Sequence, residues 1–209
     1  MKRALILTLG LAALVPAAFA DGLFEVSTIG SKELGVHITY KGSSYNVLSG
    51  PMSAKYNGGP AFEAYCVDLD HWNTGNPSIY TVSPSPITNL TYGGRAAYLY
   101  NKYAASVDTK AKGAALQLAI WDVVTDNGDG LGNGQFKSSG LTTEVKNLAN
   151  SYLADSAGKS GMAVLFSAVD HGVRCDKNQN FMGPVPEPAS LAAFGIGIAS
   201  LLRRRKKNS

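Results

Sequence analysis

From residue 21 to about residue 92, apolar and polar positions change places in short runs. "LFEVSTI", "LGVHITYKG" and "SSYNVLSG" mix β-branched and aromatic residues with Gly and Ser, the pattern of strands joined by turns. "YNGGP" interrupts them before "AFEAYCVDLD". That segment alternates loosely, with Phe62, Ala64 and Cys66 on one face and Glu63, Tyr65 and Val67 on the other. "SIYTVSPSPI" predicts an edge strand, because Pro84 and Pro86 lack the amide that a central ladder needs.

The middle of the chain changes period. Residues 93–106 and 108–126 are Ala-rich and helical in character, and a third helix is predicted over 141–157. Asp108 is the expected N-cap of the second helix, and the Gly-rich "DNGDGLGNG" ends it. "MAVLFSAVDHG" and "NQNFMGPV" then return to strand-like sequence. This order predicts an α+β domain: an antiparallel β-sheet or sandwich with an inserted or packed helical block. In "AALQLAIWDVV" only Gln117 and Asp122 are polar, so the second helix belongs to the core. Gln117 shares an apolar stripe with Ala114, Trp121 and Val124, where an amide needs partners or a chemical reason to be present.

The two ends carry signals of another kind. "MKRALILTLGLAALVPAAFA" has a basic start, an apolar stretch and a small-x-small end, which predicts a secretory signal peptide over residues 1–20. At the other end, Val-Pro-Glu-Pro precedes an uncharged stretch over 189–202 and five basic residues, Arg203, Arg204, Arg205, Lys206 and Lys207. This tail resembles the PEP-CTERM sorting signal, with Pro186, Glu187 and Pro188 as its motif and the Arg cluster as its end. The resemblance implies a short C-terminal hydrophobic helix, transient membrane association through the tail and removal by an exosortase. It also implies a destination at the cell surface or in the extracellular matrix of a Gram-negative bacterium. The expected division is therefore signal peptide 1–20, one extracellular domain 21–183 and sorting tail 184–209.

The ends also change the charge picture. The chain has a formal net charge of +4, yet seven of its nineteen basic residues lie in the two targeting segments. Without those segments, twelve basic residues face fourteen acidic ones, a net of −2. No basic cluster remains in the body, so nucleic-acid binding is excluded.

The candidate chemistry centres on Cys66. Tyr65-Cys66-Val67-Asp68, followed downstream by Gln117-Leu118-Ala119-Ile120-Trp121, resembles the Cys-Gln thioester domains of bacterial surface adhesins. In that family the Cys sulfur attacks the Gln side-chain carbonyl, ammonia leaves, and the resulting thioester captures a nucleophile on a target. The resemblance implies Cys66 and Gln117 as the reacting pair, supported by Tyr65, Asp68 and Trp121. The target would be a surface polymer, exopolysaccharide or protein nucleophile. A different reading stands beside it: an exported protein with two cysteines forms a Cys66–Cys175 disulfide and serves as a non-covalent structural or polysaccharide-binding matrix protein.

Other chemistries find less support. Cys66, His71 and His171 with nearby aspartates lack a local hydrolase signature, so no enzyme is expected beyond self-processing. His37, His71 and His171 have no metal-ligand spacing with the cysteines, and "DNGDG" fails the EF-hand register at Thr125 and Phe136. Neither a metal nor a cofactor is expected. His71 and Trp72 after "DLD" also suit the rim of a sugar contact.

Overall fold

The computed structural model describes residues 20–73, 75–169 and 178–185. In chain order its strands are β1 (Gly22–Thr28), β2 (Leu34–Tyr40), β3 (Ser43–Ser49), β4 (Met52–Tyr56), β5 (Phe62–Cys66) and β6 (Ser78–Pro86). Helices α1 (Gly93–Tyr103) and α2 (Lys110–Asp126) follow, then β7 (Phe136–Ser139), α3 (Thr143–Ser156), β8 (Val164–Ala168) and β9 (Phe181–Gly183). These elements lie in one compact unit, Ala20–Pro186.

Six strands close into an antiparallel barrel in the order β1-β4-β5-β9-β8-β6, and β3-β2-β7 form a separate antiparallel sheet. The α+β class is as expected; a closed barrel stands where a sandwich was the alternative. The period-2 pattern is clearest in β6, where Ser78, Tyr80, Val82 and Pro84 are buried and Ile79 and Thr81 are exposed. Aromatic rings fill the barrel. Phe24 stacks on Phe166 with centroids 5.1 Å apart and meets Tyr80 edge-on at 5.7 Å.

The expectation that β6 is an edge strand is corrected: it pairs with both β1 and β8. The prolines are accommodated by stagger. β1 accompanies β6 only from Ser78 to Val82, and β8 takes over from Val82 to Pro86. Pro84 and Pro86 thus lie where one side of the strand has no ladder to lose a hydrogen bond from.

The helical block packs around α2, whose residues from Gly113 to Val123 are all buried. It contacts α1, α3, the three-stranded sheet and β5 of the barrel. Its N-cap is Thr109 rather than Asp108: Thr109 Oγ1 accepts the Lys112 amide at 3.2 Å, while the Asp108 carboxylate pairs with Lys112 Nζ at 2.8 Å. At the other end Asn127 adopts the left-handed conformation (φ 58°), and its N–H and that of Gly128 return to Val123 and Asp122 carbonyls. The Gly-rich loop therefore ends α2 as its composition predicts. Asp122 is wholly buried; its burial raises its carboxyl pKa to about 7, with the Gly130 amide opposing that shift.

Among the described residues no helix is long and apolar enough to cross a membrane. Residues 1–19 of the predicted signal peptide, the C-terminal hydrophobic helix and Pro186, Glu187, Pro188, Arg203, Arg204 and Arg205 lie outside the described residues, as does Cys175.

Candidate functional site

β5 carries three consecutive buried residues, Ala64, Tyr65 and Cys66, so both of its faces are covered. Tyr65 meets Tyr100 of α1 edge-on at 5.9 Å, while Phe62 joins the barrel aromatics through Phe166. On one edge β5 pairs with β9, Cys66 opposite Phe181, and the Val67 amide donates to the Asn180 carbonyl. Successive residues of a strand direct their amides to opposite edges. The Cys66 main chain therefore points to the other edge, where the β4 ladder has already ended at the Met52–Ala64 pair.

Gln117 takes that vacant place. The Cys66 amide donates to Gln117 Oε1 at 3.1 Å, and Gln117 Nε2 donates to the Cys66 carbonyl at 2.8 Å. The side-chain carboxamide acts as one more rung of the ladder, delivered from α2 across the helix–barrel contact. This accounts for a buried amide in an apolar helix: its polar atoms and those of the strand satisfy each other. It also holds the Gln117 side chain against Cys66 itself, two residues 51 positions apart in sequence.

The sulfur is held by the residues that follow it. Cys66 is a free, buried thiol. Its Sγ donates to the Asp68 carbonyl at 2.9 Å and accepts the Asp68 amide at 3.4 Å. Burial pushes the thiol pKa up to about 12, and the negative charge of Asp68 adds to the effect. The Trp121 indole N–H, one turn beyond Gln117, acts in the opposite direction by favouring the thiolate, although it meets no acceptor in full hydrogen-bond geometry. Trp121 is otherwise packed, its ring 6.1 Å from that of Phe136.

Asp68 shapes the loop after β5. Its Oδ1 accepts the Asp70 amide at 2.9 Å, and its Oδ2 accepts the Asn180 amide at 3.4 Å. His71 Nδ1 lies 2.6 Å from the same Oδ2, which places the ring proton on Nδ1. The Asp68 carbonyl that holds the thiol also accepts from Gln179 Nε2 at 3.1 Å. Beside this loop opens a cleft of about 360 Å³ lined by Lys41, Asp68, Asp70, His71, Thr125 and Asn180 among others. Trp72 meets Tyr45 of β3 at a tilt, with ring centroids 5.1 Å apart.

Of the residues read from the sequence, Cys66, Gln117, Asp68 and Trp121 meet at one place. Tyr65 stands behind them as packing, with its hydroxyl buried and without a partner among the described residues. Gln179 and Asn180 were not anticipated. Their only signal is the polar "NQN" run directly before Phe181, in a segment read from sequence simply as strand-like.

Residues 184–206 match the PEP-CTERM protein-sorting motif. The motif implies export to the cell envelope or surface and, in general, processing by an exosortase-type enzyme. Comparison with curated proteins gives no match. Among solved structures the chain is similar to the N-terminal thioester domain of the fibronectin-binding protein SfbI from Streptococcus pyogenes. That match has a TM-score of 0.40 at 14% identity and covers 76% of this chain and all of the other, a likeness too distant to bear on the site.

Proposed function

We propose that the exported chain attaches to a partner surface through an internal thioester between Cys66 Sγ and Gln117 Cδ. The supporting observation is the two-point pairing of the Gln117 carboxamide with the Cys66 main chain. Thioester formation needs an acyl carbon held beside a thiol, with its oxygen polarised. Here the Cys66 amide donates to Oε1, where negative charge grows as sulfur adds to Cδ. The Cδ–Nε2 bond then breaks, the thiol proton leaves with the amide nitrogen, and the product is ammonia. An amine or hydroxyl of the target next attacks Cδ, the sulfur departs and takes up the nucleophile's proton, and the target is joined to the chain through residue 117. The cleft beside Asp68 and His71 is the approach for that nucleophile, and the burial of Cys66 keeps bulk water from the bond.

A second reading has its own observation. A thiol with its pKa pushed up to about 12 is a poor nucleophile at neutral pH, and a fully paired Gln117 suffices as a structural rung. The chain would then be a non-covalent matrix protein, with the Cys66–Cys175 bridge as its staple.

Intact mass and peptide mapping of the non-reduced chain separate the two. Loss of one ammonia, a cross-link between the Cys66 and Gln117 peptides, and methylamine incorporation at Gln117 that disappears in Cys66→Ala support attachment. Loss of two hydrogens with the Cys66 and Cys175 peptides joined, or an unlabelled folded chain of unmodified mass, would sink it.

A further inference from the structure

At the C-terminal end of α2, opposite in purpose to the Cys66 site, three carboxylates converge. Asp122, Asp126 and Asp129 each offer one oxygen, and the three oxygens lie within 4.8 Å of one another. Such a cluster alone signifies little on a protein surface. Asp122 makes it different: the residue is wholly buried, and among the described residues its Oδ2 accepts only the Gly130 amide, at 3.0 Å, while its Oδ1 has no hydrogen-bond partner. A buried, half-satisfied carboxylate beside two more negative groups is costly unless it takes up a proton or a cation joins the three. None of the three forms an ion pair among the described residues. The guanidinium of Arg95 stands nearby, but its hydrogen bonds go to Asn127, Leu153 and Ser156.

We infer that Asp122, Asp126 and Asp129 bind a divalent cation, and that the ion is calcium. All the donors are hard oxygens, and the cluster sits at the helix end whose carbonyls carry the negative pole of the dipole. The sequence hides the site because it does not follow the EF-hand register: the first ligand lies inside the helix, two positions before Val124, and only Asp129 comes from the loop proper. The three donors grade from buried Asp122 through half-buried Asp126 to exposed Asp129, which leaves the outer side of the ion to water. Calcium accepts such an irregular, partly hydrated shell of six to eight oxygens, whereas magnesium demands near-octahedral order. Three carboxylates and an open outer side correspond to an affinity in the range of extracellular modules, a Kd of about 0.1–1 mM. Asp126 Oδ2 also accepts the Phe136 amide at 2.7 Å, so the ion would tie the end of α2 to the start of β7.

The test is thermal unfolding and calorimetric titration of the full chain with calcium chloride, starting from EDTA-treated protein and with magnesium chloride as control. The expected result is saturable binding and a Tm rise of about 3–6 °C at 10 mM calcium. Asp129→Asn, an exposed substitution that leaves the core intact, is expected to weaken binding at least tenfold. Asp122→Asn, if it folds, is expected to abolish it. No calcium response in the wild-type chain, an undiminished response in Asp129→Asn, or an equal response to magnesium would overturn the assignment.

Discussion

Gly113 of α2 packs directly on the main-chain carbonyl of Lys32, so closely that a Cβ at position 113 would overlap that oxygen, with Pro51 Cδ only 3.1 Å away. One turn later comes Gln117, and the same seam is pinned by Ser49 Oγ donating to the Ala114 carbonyl at 3.0 Å. The depth at which α2 sits against the β1–β2 and β3–β4 loops therefore sets how far Gln117 reaches toward Cys66.

Gly113→Ala tests this. In an unobstructed helix the change would stabilise by about 1 kcal/mol through helix propensity. Here the obstacle is backbone, which cannot rotate aside, and overpacking of this kind costs about 1–3 kcal/mol. The expected net result is a lower urea midpoint, together with slower ammonia loss if the thioester forms. A stabilised variant would show that α2 can slide without consequence.

The Gln117 rung predicts an asymmetry between the two partners. Because Gln117 binds the main chain of Cys66 and not its sulfur, Cys66→Ala keeps both hydrogen bonds. It is expected to fold with a loss of about 1 kcal/mol, an ordinary value for a point substitution. Adding Gln117→Ala to that background leaves a buried N–H and a buried C=O unpaired, at about 1–3 kcal/mol each. The double variant is thus expected to be less stable than Cys66→Ala by about 2–6 kcal/mol in urea unfolding. Both proteins lack the thioester, so the difference reports the rung alone. A difference below about 1 kcal/mol would mean that water or another group fills the vacancy.

This rung shows where sequence reading stops. That Gln117 is buried in an apolar helix follows from its place among Ala114, Trp121 and Val124, and that Cys66 lies on a strand follows from the loose alternation of "AFEAYCVDLD", although not that the strand ends there. Their contact depends on where β4 stops, and β4 itself is scarcely legible: "MSAKY" has no β-branched residue, and it forms a strand because β1 and β5 hold it from both sides. β7, "FKSS", is hidden for the same reason and is held by β2. The prolines of β6 mislead because propensity rules describe a whole strand, whereas barrel stagger gives each end of β6 a different neighbour. The helices were clearer, since Ala-rich periodicity and Gly-rich stops are local signals.

Alkaline pH is expected to weaken the fold in chains that carry a free Cys66 thiol. Burial raises the Cys66 pKa from 9.0 to about 12, and that of Tyr100 from 10.0 to about 12; Tyr65 and Tyr80 shift the same way, also through burial. Between these values the unfolded chain has released protons that the folded chain still holds. Stability contributed by the neutral forms is therefore complete below pH 9 and is lost as pH rises toward 12. Each buried group contributes a slope of about 1.4 kcal/mol per pH unit. Urea midpoints measured from pH 7 to 11.5 should stay level to about pH 9 and then fall, with the first part of the fall missing in Cys66→Ala. A midpoint unchanged to pH 11 would mean that these groups are reached by water.

Tyr65 offers the cleanest separation of packing from chemistry in the segment around Cys66. Its ring is wholly buried and meets Tyr100 edge-on, but its hydroxyl has no partner among the described residues. A buried hydroxyl without a partner costs about 1–3 kcal/mol relative to water, so its removal relieves a penalty where most core changes create one. Tyr65→Phe is expected to raise stability by about 1 kcal/mol and to leave methylamine labelling at Gln117 as in the parent chain. Tyr65→Ala removes the ring as well and is expected to cost about 3–5 kcal/mol. If Tyr65→Phe instead lowers stability by 1 kcal/mol or more, the hydroxyl meets a partner in solution. If it folds normally but loses labelling, the hydroxyl belongs to the reaction, and Tyr65 moves from the wall behind the thiol to the site itself.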